Sequence, residues 1–227
     1  MKPMQLWISV MAAGVWLAGC AAKAPAPDWK LEAQSASERA VKAYLEGQTR
    51  VADVEWAKTF NEVAATGQPH RMARVALMQC AAQTAALELT DCPRYLRYAA
   101  GAGDAEQAYA RYLLAQHAPA DVPLLPKAQQ KVALQLLDRG TVEIGSGEPL
   151  SQLTAAGVAL RAGAIDPKGV EQAIHIASDQ GWRRALTAWL LVAQRMAQQA
   201  GDAALVQAID LRLQILQEAE NSKNPKK

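Results

Sequence analysis

Apolar positions recur along the chain at steps of three, four and seven rather than two, the spacing that lines up side chains on one face of an α-helix. Val41, Leu45, Ala52, Trp56, Phe60 and Val63 share one such stripe, and the pattern predicts one long helix from Ser37 to Thr66. Gly67 suits the left-handed position after a helix end, and Pro69 suits the first turn of the next helix. That second helix, with Val75, Met78, Ala82, Ala85 and Leu89 on one side, is expected to reach about Leu89. Cys80 lies off its stripe. Asp91-Cys92-Pro93 then opens a short piece, Arg94 to Ala100.

The remaining segments repeat the scheme. Helices are expected over Pro126 to Asp138, Pro149 to Ala162, Pro167 to Asp179, Trp182 to Gln199 and Asp202 to Glu220. Between them stand Ala102-Gly103-Asp104, Ala162-Gly163-Ala164-Ile165-Asp166 and Ala200-Gly201-Asp202. In each, glycine can end one helix and aspartate can cap the amides of the next. Links this short set successive helices antiparallel. The expected fold class is therefore all-α: antiparallel helical hairpins, arranged as a bundle or a short solenoid. The hairpin series, with Trp182 and Trp189 seven positions apart, is similar to tetratricopeptide and Sel1-like repeats. Leu186 and Gln198 depart from that pattern, and no period near 34 residues recurs. The helical region is expected over 31–220, with a possible division into two sub-bundles near 140–149, and residues 221–227 form a basic, solvated tail.

The N-terminus follows a different rule. Lys2 precedes an apolar run from Leu6 to Gly19, shorter than the roughly 20 residues a membrane-spanning helix needs. It fits the apolar region of a secretory signal. Leu17-Ala18-Gly19-Cys20 resembles the lipobox of bacterial lipoproteins. The resemblance implies a cleaved signal over 1–19, lipid attachment at Cys20 and a tether over 20–30 containing Pro25 and Pro27. Ala21 stands where an aspartate would hold such a protein at the inner membrane, so the resemblance implies the outer membrane, facing the periplasm.

Composition narrows the function classes. Hydrophobic residues make up 51% of the chain, much of it alanine, with a single Phe. Small side chains let helix axes approach closely. The net charge is +2 with no basic stripe interleaved with aromatics, so no nucleic-acid partner is expected. With Cys20 acylated, Cys80 and Cys92 are the remaining thiols. An oxidising periplasm favours their pairing, worth roughly 3 kcal/mol for so short a loop. The alternatives are inert thiols, or a reactive Cys92 at the helix start marked by Pro93.

Catalytic chemistry finds little footing. His70, His117 and His175 are isolated, so no metal and no cofactor are expected. Gly145-Ser146-Gly147 lacks the spacing and strand context of a nucleophile elbow and the lysine of a phosphate loop. Glu55, Glu62, Glu88, Glu106 and Glu143 are scattered, with none marked above the others. Arg94, Tyr95, Arg97, Tyr98, Tyr109 and Tyr112, near Arg111, form the one local concentration that could bind a partner. The expectation is a membrane-anchored, non-enzymatic interaction or assembly module for another envelope protein. The alternatives are a peptidoglycan-acting enzyme and a carrier of lipid or small ligand.

Overall fold

The structure, a computed structural model, describes residues 26–223. The lipobox with Cys20 and the end of the basic tail lie outside the described residues. Helices alternate with short links: α1 (Asp28–Leu45), α2 (Thr49–Ala64), α3 (Pro69–Ala85), α4 (Pro93–Leu96), α5 (Asp104–Leu113), α6 (Lys127–Leu137), α7 (Pro149–Arg161), α8 (Pro167–Asp179), α9 (Arg183–Ala200) and α10 (Ala203–Lys223). Short 3₁₀ turns at Ala99–Gly101 and Pro119–Leu124 complete the order. The fold is all-α and is built of helical hairpins.

The expected single helix over 37–66 is two helices. Gly47 adopts φ +84°, a left-handed conformation that ends α1, and α2 turns back against it. The apolar stripe did not betray the break because Leu45 and Ala52 are both core residues, one on each arm of the hairpin. Arg39 reaches Glu55 at 2.9 Å and Lys58 reaches Glu32 at 2.6 Å across the hairpin. Helix α1 begins nine positions before the expected Ser37, at Asp28 directly after Pro27. Helix α3 stops at Ala85, short of Leu89, where Leu87 takes φ +60°.

The aspartate caps hold at two of three links. Asp202 accepts from the Leu205 amide at 2.9 Å and Asp166 from the Gly169 amide at 2.8 Å. At the third link Gly103 is itself the cap residue of α5, with φ −77°, so Asp104 is already inside the helix and caps nothing.

Helix α3 is the central element, packed against α1, α2, α5 and α7. Its approach to α7 is set by Gly157: a Cβ there would stand 2.3 Å from the Thr84 carbonyl oxygen. Beside it, Thr154 donates to the Ala81 carbonyl at 3.3 Å, a bond only such close helices can make. Later hairpins extend from this centre through α7–α8, α8–α9 and α9–α10. Trp189, fully buried, ties α9 to the end of α3 by donating from Nε1 to the Ala85 carbonyl at 3.0 Å. Tyr44 of α1 donates to Glu88, and Arg184 of α9 lies over the Tyr44 ring at 4.1 Å.

The core does not divide at 140–149. One apolar cluster runs from Ala33 to Ile209 and includes Val142 and Ile144 of that loop. The Val142 amide donates to the Ala164 carbonyl at 2.8 Å, and Gln172 donates to the Ile144 carbonyl at 3.0 Å. The loop is thereby sewn to the α7–α8 link and to α8.

Candidate functional site

The Tyr/Arg concentration splits between interior and surface. Tyr112 is fully buried and donates to Gln129 at 2.6 Å, while Gln129 in turn donates to the Ser151 carbonyl at 3.0 Å. Tyr95 is also buried. Both are therefore core residues rather than contact residues. Arg94 lies over the Phe60 ring at 4.2 Å and donates to Gln79 at 3.3 Å, so it covers the seam between α2 and α3. Arg97 is exposed and Tyr98 is half-buried. Tyr109 stacks on Tyr112 at 6.1 Å between ring centroids and faces a concavity elsewhere.

That concavity, about 440 Å³, lies between α3, α5, α7 and the turn before α6. Leu77, Met78, Leu125 and Leu150 give it an apolar floor. At its rim Arg74 donates to Glu106 at 2.6 and 3.0 Å. Burial opposes the charge on Glu106, but the Arg74 guanidinium outweighs it and holds the carboxyl below its usual range. Burial pushes the Tyr109 hydroxyl upward, and the charge of Glu148 adds to this. Among the described residues, Glu106 is the carboxylate that lines this concavity. Met78 also lines two neighbouring concavities, one toward the start of α1 and one toward Trp182. A flexible thioether at such a junction adapts to what lies on either side.

Arg111 and Asp121 hold the turn after α5. Arg111 donates through both Nε (2.9 Å) and its terminal nitrogen, and the Ala118 amide donates to the same carboxylate at 2.8 Å. These bonds, the Arg111 side chain foremost, bring the Asp121 carboxyl down to about 2. The sign follows from the depressed value. The contribution is complete above the unfolded value of about 4 and is lost as pH falls from about 4 through 2. Asp121→Asn should therefore flatten the acid limb of stability in that window. Urea midpoints of the two proteins measured against pH would check it, and parallel slopes from pH 5 to 2 would refute it.

The C-terminal hairpin carries the second open region. Helix α10 packs chiefly on α9, and its inward stripe is Val206, Ile209, Leu213 and Leu216. On the opposite side Ala204, Ala208, Leu211 and Ile215 form a second stripe at steps of four, three and four. Leu211 is 59% exposed and Ile215 57%. On the inward side, a groove of about 450 Å³ runs between α8, α9 and α10, floored by Val170, Ile174, Leu190, Met196 and Ile209.

Cys80 and Cys92 stand at disulfide distance, with Cα atoms 5.4 Å apart, joining α3 to the start of α4. Gly145, Ser146 and Gly147 form an open turn before α7. Trp182 and Trp189 are both core residues. Among the described residues there is no group of three His, Cys, Asp or Glu placed to hold a metal ion, and no helix long and apolar enough to cross a membrane. The pairing of Arg74 with Glu106 had no sequence signal, because thirty-two positions separate the two residues. The outer stripe of α10 did have one, at helical spacing beside the inward stripe. The chain matches no family model, no curated protein and no solved structure.

Proposed function

We propose that this chain is a lipid-anchored protein of the bacterial outer membrane, facing the periplasm, whose helical hairpins form a non-enzymatic docking or assembly module for another envelope protein. The anchor reading rests on Leu17-Ala18-Gly19-Cys20. The observation that carries the docking reading is α10, an edge helix with apolar stripes on two opposite sides, of which the fold uses one. A surface helix ordinarily shows a single apolar face, and an exposed second one marks a contact surface.

A photo-crosslinking residue at Leu211, incorporated in growing cells, should give a discrete higher-mass adduct that Ile215→Glu abolishes. The same residue at exposed Ala120, on the turn after α5, should give none. Equal adduct formation at both positions, or none at Leu211, would overturn the reading.

The periplasmic location makes Cys80 and Cys92 an oxidised pair. Protein from the envelope should contain no free thiol at either position, and reduction should cost roughly 3 kcal/mol by restoring freedom to the unfolded chain. Alkylation followed by mass spectrometry checks the first point and urea unfolding with and without reductant the second. Two alkylated cysteines in the unreduced protein would refute the pairing.

A further inference from the structure

A concavity of about 550 Å³ lies where the described chain begins, between the first half of α1, the end of α2 and the first half of α3. Four basic side chains line it: Lys30, His70, Arg71 and Arg74. Among the described residues no carboxylate lines it. Arg74 is engaged by Glu106, but Lys30 and Arg71 have no carboxylate partner among the described residues. The Arg71 guanidinium lies over the Trp29 ring, 4.8 Å from its centroid, and Val75 and Met78 supply apolar floor behind it. Stacking on the indole fixes the plane of the guanidinium and leaves its N–H edge free to donate.

Unpaired cations around a partly apolar hollow match a ligand with an anionic head and a greasy body. Position on the chain selects among such ligands. Pro27, a lining residue, is separated from Cys20 by a stretch that spans at most about 25 Å even when fully extended. A lipid on Cys20 would hold this concavity close to the bilayer surface, within reach of its headgroups. A half-buried Trp beside Lys and Arg is also the side-chain set favoured at a membrane–water interface.

We propose that the concavity around Arg71 and Trp29 docks the protein onto anionic phospholipid headgroups of the membrane that anchors it. This rests on the lipid-anchor reading of Cys20. The phosphate accepts from Arg71 and Lys30, and the first part of the acyl chains lies along Trp29, Val75 and Met78. Helix α1, about 27 Å long at 1.5 Å per residue, separates this end from the α1–α2 turn, which lies against α9 and α10. The C-terminal part of α10 therefore lies toward the opposite end of α1 from the docked concavity.

The test uses the purified lipidated protein in neutral detergent, titrated with dihexanoyl phosphatidylglycerol, dihexanoyl phosphatidylcholine and glycerol phosphate. Binding is followed by hydrogen exchange of the segments around Trp29 and Arg71. The anionic lipid should protect both segments, with an affinity that falls as salt rises, and the zwitterionic lipid should not. Glycerol phosphate should bind far more weakly than the anionic lipid. Neutralising both cations (Lys30→Gln with Arg71→Gln) should weaken binding about thirty-fold, on the basis of about 1 kcal/mol for each basic residue near an anionic surface. Arg71→Lys, which keeps the charge, should recover part of that loss. Equal protection by the two lipids, or equal affinity for glycerol phosphate, would overturn the proposal, as would undiminished binding by the neutralised variant. Mass spectrometry of Cys20 reads the anchor separately: an unmodified thiol removes the anchor reading, while the titration reports on the headgroup site itself.

Discussion

Gly157→Ala is expected to destabilise the protein by about 3 kcal/mol, although alanine is the better helix former by about 1 kcal/mol. The added Cβ would stand 2.3 Å from the Thr84 carbonyl oxygen and 3.0 Å from its carbon, with the Thr84 methyl at 2.9 Å. Backbone atoms cannot turn aside as a side chain can, so α3 and α7 must move apart. That separation spreads through the interior, because α3 packs on α1, α2 and α5 as well as on α7. The Thr154 bond to the Ala81 carbonyl would lengthen from 3.3 Å, leaving the buried Thr154 hydroxyl short of a partner. Gly145→Ala is the matched control. A Cβ there meets nothing within 4 Å, and the change should stay within about 0.5 kcal/mol. Urea unfolding of both variants decides the matter, and equal midpoints would show that the helices yield at no cost.

The helices were legible in the sequence because their stripes are long and their ends are punctuated. Pro149, Pro167, Gly163 and Gly201 mark element limits that fall within a residue or two of expectation. The hairpin at Gly47 was not legible. Periodicity reports which residues face the core and says nothing about which way the chain then runs. A break that keeps Leu45 and Ala52 both inward leaves the stripe intact. Gly47 was the local sign, since a lone glycine inside a helical pattern is either a costly interior residue or a helix end. Asp104 failed as a cap for a related reason. A Gly-Asp pair can put either residue in the cap position, and the glycine of this link occupies it.

Legibility was lower for the surfaces. The Tyr/Arg concentration was visible as composition, but composition cannot separate Tyr112, sealed against Gln129, from Tyr109 on an open concavity three positions earlier. One turn of helix is enough to move a ring from surface to core. The basic hollow at the start of α1 was invisible because its parts come from three helices, with Lys30 on α1 and Arg71 on α3 and the whole of α2 between them in sequence. A residue concentration in sequence and a concentration in space coincide only within a single helix turn, and this fold builds its concavities between helices.

Trp189→Ala should cost about 3–5 kcal/mol, a large share of the 5–15 kcal/mol that holds a typical domain together. The indole is fully buried, so its removal leaves a hole in the core beside the end of α3. The second part of the cost is polar. Ala85 is the last residue of α3, and its carbonyl is among those a helix leaves without an internal partner. The Trp189 Nε1 donor, 3.0 Å away, fills that role from another helix. Trp189→Phe separates the two contributions: it keeps most of the apolar volume, orphans the carbonyl and should cost about 1–3 kcal/mol. The damage should also be unevenly distributed. Helix α10 depends chiefly on α9, and α9 is pinned to the centre of the molecule by this side chain, so loosening it frees the C-terminal hairpin before the α1–α3 core. Native-state hydrogen exchange of the alanine variant should show α9 and α10 opening at lower free energy than α3. Uniform loss of protection across all helices would instead mean that the hairpin and the core unfold as one unit, and the docking surface on α10 would then have no stability of its own to tune.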